Sequence, residues 1–171
     1  EPNFVRRFEN EAKAVAVLDH PHILPIYDFG SQDDVIYMVM RLVEKGSLAD
    51  LMKQPQLLSN ERIVKIISDI ASALDYAHWQ GIIHRNVNPN NILIDHHDEA
   101  LLTDFGLAKM TQRYKARVTE TGTIAETVNY MSPERLTDKR IGGQSDIYSL
   151  GVVLYESLTG QLPFQAKTPM A

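Results

Sequence analysis

The order of the predicted elements places this chain in the α+β class. One amphipathic helix comes first, two strand-like runs follow, and the remainder is mostly helical, which favours segregated strands and helices over a doubly wound sheet. The length of 171 residues corresponds to about one domain, at roughly 150 residues per domain. Hydrophobic residues make up 44% of the chain, which is ordinary for a globular core and too many for a disordered segment.

The first third of the chain predicts a helix followed by a hairpin. Over residues 4–18, apolar side chains recur at three- and four-residue steps and charged ones lie on the other side. The residue before Pro21 is pushed out of the helical region, so this helix is expected to end there. Two strand-like runs, 23–29 and 35–42, are joined by a polar turn of hairpin length.

Two helices are predicted in the middle of the chain. Ser47 resembles a helix cap before a short helix at 48–52. The clearest helix follows an N-cap at Ser59 and ends at Gly81, which suits the left-handed residue just past a helix end. Isoleucine, leucine and alanine form its apolar stripe.

The last third contains two short apolar runs, a long loop and a final helix. The runs are 92–94 and 100–102, and both are predicted as short strands. Residues 111–127 contain five threonines and little periodicity, which predicts a long loop of the kind that is usually functional. The final helix is predicted from a cap near Ser145 to Leu158.

Composition excludes several classes of protein. Seventeen Lys and Arg against 22 Asp and Glu give a net charge of −5, whereas a nucleic-acid binder shows a basic excess or stripe. The absence of cysteine excludes disulfides, thiolate metal sites and a cysteine nucleophile. No apolar run reaches the roughly 20 residues of a membrane helix. The six histidines lack the spacing of a zinc site, so we expect no transition-metal site.

Three short motifs follow one another in a fixed order. His-Arg-Asn-Val-Asn-Pro-Asn-Asn stands at 84–91, Asp-Phe-Gly at 104–106 and Met-Ser-Pro-Glu at 131–134. With the threonine-rich loop between the last two, the chain resembles the eukaryotic-type serine/threonine protein kinases, most closely their bacterial members. The resemblance implies a two-lobed fold, with part of the N-terminal lobe at 1–43 and part of the C-terminal lobe at 44–171.

The resemblance implies ATP and Mg²⁺ as cofactors and a protein hydroxyl as the acceptor of the γ-phosphate. Phosphoryl transfer depends on metal ions that clamp the phosphates, because charge builds on their equatorial oxygens. Asp104 and Asn91 occupy the positions of the metal ligands, and both offer the hard oxygen atoms that Mg²⁺ prefers. The alternative is that Asp104 is a turn residue and Asn91 a cap.

Further positions correspond to family residues one by one. Glu11 corresponds to the helix glutamate that pairs with the ATP-binding lysine; alone it would be an ordinary solvated glutamate. Met40 resembles the gatekeeper, and Arg41, Leu42 and Val43 resemble the hinge whose backbone binds adenine. Leu93 would pack beneath the adenine ring.

Asp146 resembles the aspartate that holds the catalytic loop, or serves as an N-terminal helix charge. The apolar spine that links the lobes corresponds to Val15, Ile26, His84 and Phe105.

Two positions of the catalytic loop depart from the family pattern. Asn86 stands where the family has an aspartate that accepts the substrate proton, and an amide cannot take that proton. Loss of a positioned general base costs roughly 10²- to 10⁴-fold in rate. Asn88 stands where the family has a lysine, whose charge stabilises the transferring phosphate. These departures predict poor phosphate transfer or none.

Two family features have no counterpart in this sequence. No two glycines are separated by one residue, so there is no Gly-x-Gly phosphate loop, and no lysine precedes Glu11. The expectation is therefore a kinase-like domain that is truncated at both ends.

A phosphate-dependent regulatory site is also implied. Arg85 corresponds to the arginine that binds a phosphorylated activation loop, and Lys109 could add to that pocket. Thr119 and Thr121 stand where bacterial relatives are phosphorylated, which makes a partner kinase an expected partner, and Thr127 corresponds to a threonine that contacts the catalytic loop. The alternative is that these threonines are simply polar loop residues.

Two functions remain open on the sequence alone. The first is a serine/threonine kinase domain with an impaired catalytic loop. The second is a pseudokinase that acts as a scaffold or interaction module, with or without residual nucleotide binding. Either is expected in the cytoplasm, on its own or as the cytosolic part of a membrane-anchored receptor kinase.

Overall fold

The computed structural model describes residues 2–32, 35–54, 58–105, 128–136 and 141–164. It confirms the α+β class, with two small antiparallel sheets and five α-helices in the described ranges. The elements in chain order are α1 (Pro2–Ala16), β1 (Ile26–Gln32), β2 (Val35–Met40), α2 (Leu48–Met52), α3 (Asn60–Trp79), a 3₁₀ turn (Pro89–Asn91), β3 (Ile92–Ile94), β4 (Ala100–Leu102), α4 (Pro133–Leu136) and α5 (Gly143–Thr159).

Helix α1 packs on one face of the β1–β2 hairpin. Its buried Phe8 and Ala12 contact Phe29, Ile36 and Met38. Burial alternates along β2 because successive side chains point to opposite faces of a strand. The hairpin is therefore amphipathic, with one face on α1 and the other exposed.

The predicted start of β1 is three residues too early. Ile23 and Leu24 are apolar, but they are buried beside β4, where the Leu24 N–H donates to the Leu102 O at 2.9 Å and the Leu102 N–H donates to the His22 O at 2.9 Å. Pro25 then separates this contact from the hairpin. The segment thus joins the hairpin region to the C-terminal core. Leu102, the partner of Leu24, is 78 residues away, so neighbouring residues could not predict this contact.

The long helix α3 is the centre of the larger core, as its periodicity predicts. Its N-cap Ser59 accepts a hydrogen bond from the Arg62 N–H at 3.3 Å, and Gly81 adopts the left-handed conformation with φ +76°. Its buried stripe packs against α5 and the β3–β4 hairpin, whose boundaries are those predicted. The buried residues of the stripe are Ile63, Ile66, Ile70, Ala73, Leu74 and Ala77.

Helix α5 begins before its predicted cap. It starts at Gly143, and the N-cap Gly142 makes no side-chain hydrogen bond. Ser145 does not cap the helix because its Oγ donates to Glu134 Oε1 at 2.5 Å instead. The end agrees with the sequence, since Gly160 is left-handed with φ +70°.

The loop predicted over 111–127 lies outside the described residues. In the described ranges, no helix combines the length and apolar character that crossing a membrane requires. The lobe boundary at residue 43 stays a prediction.

Candidate active site

A buried carboxylate on α5 fixes the start of the loop that connects α3 to β3, residues 84–91. Asp146 Oδ1 accepts a hydrogen bond from the Arg85 N–H at 2.7 Å, and Asp146 Oδ2 accepts one from the His84 N–H at 2.8 Å. Asp146 is 1% exposed. The loop-holding contact predicted for Asp146 is therefore present.

The same carboxylate binds a side chain that the sequence did not indicate. His78 Nε2, in the last turn of α3, lies 2.8 Å from Asp146 Oδ2. Gly143 leaves room for this ring, because a Cβ at that position would lie 2.8 Å from His78 Nδ1. His78 and Asp146 are 68 residues apart, so no local spacing could have revealed the pair.

His84 is fully buried beneath the loop and neutral. Its Nε2–H donates to the Thr103 O at 2.8 Å, and its Nδ1 accepts from the Asn86 N–H at 3.1 Å. Burial lowers the pKa of His84 from the usual 6.5 to about 4, although nearby Asp146 opposes the shift. The imidazole and the Phe105 ring lie 4.5 Å apart between centroids, so His84 connects the loop to the Asp-Phe-Gly motif.

Four asparagines of the loop form one hydrogen-bond network. The Asn86 O accepts from Asn88 Nδ2 and from Asn91 Nδ2, each at 2.8 Å. Asn88 Oδ1 accepts from the Asn90 N–H at 3.0 Å and so caps the 3₁₀ turn. Asn88 and Asn91 are buried. Asn91 thus makes a structural contact through its nitrogen, while its oxygen is the atom that a metal ion would need.

Asp104 lies one backbone contact away from Asn91. The Thr103 N–H donates to the Asn91 O at 3.0 Å, which places the start of the Asp-Phe-Gly motif beside the end of the loop. Asp104 has φ +64°, in a region that costs a non-glycine residue roughly 1–2 kcal/mol. Burial raises the pKa of its carboxyl, and a hydrogen bond with the Thr103 side chain opposes this only in part.

Met40 lies at the end of β2, against the Asp-Phe-Gly motif. Its Sδ accepts a hydrogen bond from Thr103 Oγ1 at 3.8 Å. Met40, Asp104 and Phe105 line a small cavity of about 10 Å³ together with residues of α1 and β1. Val15 and Phe105 of the predicted spine belong to one cluster of buried hydrophobic residues, and the partly buried Ile26 packs against it.

The predicted hinge segment, residues 41–43, follows Met40 directly. Leu42 is exposed, whereas Arg41 and Val43 are half-buried. The Arg41 side chain is bonded to the buried Asp95, a contact that the sequence did not indicate. Leu93 is half-buried at the middle of β3, on the strand face opposite to Ile92 and Ile94.

Glu11 makes no hydrogen bond to the other predicted site residues in the described ranges. It lies on α1, next to Ala12, which lines the cavity behind Met40. Its Oε2 is buried without a hydrogen-bond partner among the described residues. A carboxylate oxygen in that state favours a nearby cation, which is consistent with the pairing that the resemblance implies.

Arg85 is the part of the regulatory prediction that the described ranges contain. It has φ +66°, and its Nε is buried without a hydrogen-bond partner. Its carbonyl accepts a hydrogen bond from Arg135 of α4, another contact that the sequence did not indicate. The remaining predicted regulatory residues, Lys109, Thr119, Thr121 and Thr127, lie outside the described residues.

One further cluster brings possible metal-ligating atoms together outside this site. Ligand atoms of His22, Asp69 and Glu99 lie within 4.8 Å of one another. Lys65 Nζ contacts the Asp69 carboxylate at 3.0 Å and the Glu99 carboxylate at 2.9 Å. An ammonium group therefore already compensates the two carboxylates.

Comparison with known proteins agrees with this geometry. The chain matches the protein kinase domain family over residues 2–171. It is 40% identical over 168 residues to the serine/threonine-protein kinase PrkC of Bacillus subtilis, covering 98% of this chain and 26% of that protein. It is 43% identical over 166 residues to PknH of Mycobacterium tuberculosis, covering 97% and 26%.

A third relative is PknB of Mycolicibacterium smegmatis, at 38% identity over 175 residues, which covers 100% of this chain and 28% of that protein. The chain therefore spans about a quarter of the length of the curated relatives that it matches. The matched family profile, the identities near 40% and the order of the three motifs agree, and the chain belongs to the protein kinase domain family.

Proposed function

We propose that this domain binds ATP with Mg²⁺ and transfers the γ-phosphate to serine or threonine hydroxyls far more slowly than the family pattern allows. Asn91 and Asp104 would hold the metal ion, whose role when bound is to neutralise charge on the phosphates. The backbone of residues 41–43 would receive adenine, with Met40 behind it and Leu93 beneath it. This places the nucleotide between the proposed lobes, 1–43 and 44–171, and its use of ATP supports a cytoplasmic location.

The metal site is supported by the state of Asp104. Its carboxyl is partly desolvated, and burial raises its pKa, so the anion is destabilised until a cation approaches. The Thr103 N–H bond to the Asn91 O brings the backbones of the two proposed ligands close together in space. Carboxylate and amide oxygens are suitable ligands for Mg²⁺, which keeps several of its waters.

The single observation that carries the impaired activity is the state of Asn88. The family lysine at this position supplies a positive charge beside the phosphate, but Asn88 is 5% exposed and both ends of its amide bind the loop itself. It offers the phosphate no charge, and its amide nitrogen is already bound to the Asn86 O. Asn86 adds to this defect, because its amide can orient a hydroxyl but cannot take the proton.

Regulation by phosphate is proposed at Arg85. Its unsatisfied Nε supports an anion as the missing partner, since charge-assisted bonds from arginine to phosphate are strong. Thr119 or Thr121 would be modified by a partner kinase, with Lys109 beside the phosphate and Thr127 against the catalytic loop.

The second candidate function is a pseudokinase scaffold. It is favoured by the loop network, in which the side-chain amides of Asn88 and Asn91 bind the loop backbone without an ion or a substrate. A loop of this kind keeps its shape when no chemistry takes place.

The experiment compares the full-length protein with Asn86→Asp, Asn88→Lys and the double variant. Binding of ATP with Mg²⁺ is measured by calorimetry, and phosphate transfer to a serine/threonine peptide mixture is measured with labelled ATP. We expect nucleotide binding in all forms, and a transfer rate that rises by roughly 10²-fold or more when Asn86→Asp restores the base.

The matched control is Asn90→Asp, which adds the same charge to the same loop. Asn90 is exposed, and it joins the network through its backbone N–H. If the wild-type transfer rate equals that of Asn86→Asp, the proposal that Asn86 impairs phosphate transfer is wrong. If no form binds ATP, the scaffold function replaces the kinase function.

A further inference from the structure

A charged contact ties the hinge to the turn between β3 and β4. Arg41 is the first residue after β2, and its guanidinium lies 2.9 Å from Asp95 Oδ2. The two side chains differ in exposure, at 35% for Arg41 and 7% for Asp95. The Arg41 N–H also donates to the Pro25 O at 3.2 Å, so both its backbone and its side chain are held.

Asp95 is a rigid partner for Arg41 because its other oxygen shapes the turn. Asp95 Oδ1 accepts from the His97 N–H at 2.9 Å and from the Glu99 N–H at 3.1 Å. Burial alone would raise the pKa of Asp95, but these N–H groups and the Arg41 guanidinium outweigh it and hold the pKa below its usual value. Asp95 is therefore an anion at neutral pH.

Ion pairs also connect the β3–β4 turn to α3 and to the segment that follows the hinge. Asp98 Oδ1 lies 2.7 Å from Arg62 and 3.4 Å from Lys45, and Glu99 lies 2.9 Å from Lys65. Arg41 is thus connected through Asp95 to the large helical core, and not to a free loop.

We propose that the Arg41 side chain is a positioning residue that holds the hinge backbone, residues 41–43, in the orientation that receives adenine. This proposal rests on the proposed nucleotide site. Without the pair, the hinge would populate other orientations, and the apparent affinity for the base would fall in proportion to the competent fraction. The triphosphate end would be held through the metal ion by Asn91 and Asp104, and no hydrogen bond among the described residues joins either of these to Arg41 or Asp95, so it should not sense the pair.

The burial of Asp95 distinguishes this pair from its neighbours. Lys45 and Asp98 are 45% and 43% exposed, and ion pairs of that kind contribute little in water. Removal of Arg41 instead leaves a nearly buried carboxylate without its cation. Lys45→Gln is therefore the matched control. It removes a cation four residues after Arg41, but from an ion pair in which both side chains are exposed.

The test uses the full-length protein with Arg41→Gln, Asp95→Asn and Lys45→Gln. Asp95→Asn keeps an oxygen for the turn N–H groups and removes the charge that binds Arg41. Hydrogen exchange of the amides of residues 41–43 is measured first, without nucleotide. Calorimetry then gives the affinities for adenosine and for inorganic triphosphate with Mg²⁺.

We expect amide exchange at the hinge to rise by about tenfold in both Arg41→Gln and Asp95→Asn. Adenosine affinity should fall by a similar factor and triphosphate affinity should stay unchanged, whereas Lys45→Gln should resemble the wild type. Hinge exchange equal to the control, or faster exchange with unchanged adenosine affinity, overturns the proposal. If the wild type binds no nucleotide, the proposed function fails, and hinge exchange alone then decides whether the pair orders the hinge.

Discussion

The loop between α3 and β3 has two parts that are held in different ways. The first, His84 and Arg85, is fixed by the buried charge of Asp146 and agrees with the family motif. The second, residues 86–91, is held by neutral amide contacts and departs from the motif at Asn86 and Asn88. The anchoring of this loop therefore does not depend on the residues that would react, so the fold can persist where the chemistry is altered.

The largest effect should come from removing the anchor. Asp146→Ala leaves two N–H groups and His78 without their acceptor in a buried site, and we expect the free energy of unfolding to fall by about 4 kcal/mol. Urea denaturation measures this loss. Asp75→Ala, at an exposed position of α3, is the control and should change stability by less than about 0.5 kcal/mol. A loss below about 1 kcal/mol for Asp146→Ala would refute the role of the buried charge.

Acidification tests the same anchored part through His84. The pKa of this buried ring is about 4 when folded and 6.5 in its usual state, so between these values the unfolded chain binds a proton that the folded chain does not. Stability is therefore full above pH 6.5 and is lost as the pH falls to 4, by about 3 kcal/mol.

Denaturation at several pH values measures this slope. His84→Gln should remove the part of the slope that lies between pH 6.5 and 4, and His96→Gln, at an exposed turn position, should leave it intact. A slope that is the same in both variants would show that His84 is not the titrating group.

The amide-held part should respond more weakly. Asn88→Ala removes the cap of the 3₁₀ turn and one donor to the Asn86 O, and we expect a loss of about 1–2 kcal/mol. Asn90→Ala keeps its backbone contact and should cost less than about 0.5 kcal/mol. Thermal unfolding compares the two, and equal costs would mean that Asn88 has no structural role.

The smallest effect is expected at the surface. Lys65 is 43% exposed, and its less exposed partner Asp69 also lies 3.5 Å from His22 Nε2, so Lys65→Met should cost less than about 1 kcal/mol. The difference between this variant and the wild type should shrink further in 1 M salt, because exposed charges are screened. A loss that persists in salt would instead indicate that the aliphatic stem of Lys65 packs on its neighbours.

The sequence predicted most of the elements because their causes are local. Helix α3 has an N-cap at Ser59, a regular apolar stripe and Gly81 at its end, and each of these acts within a few residues. The prediction failed where a distant partner intervened. Ser145 gives its hydroxyl to Glu134, and Leu24 pairs with Leu102, so neither behaves as its neighbours suggest.

The candidate site could be predicted only for the residues that belong to recognisable motifs. Asn91, Asp104 and Asp146 stand in recognisable patterns, and their contacts lie together. His78, Arg135 and the Asp95 partner of Arg41 were not predictable, because each pairs across 50 or more residues with no repeating spacing. Such pairs arise from the packing of helices, which a single sequence does not reveal.

The close approach of Gly143 to His78 limits which sequences this fold accepts. Glycine is needed there for space, since any Cβ would displace the imidazole that faces Asp146. A larger residue at position 143 is then tolerable only if position 78 becomes smaller at the same time. We expect these two positions to vary together among proteins that share this arrangement, so that paired substitution would trace the contact through an alignment without any structure.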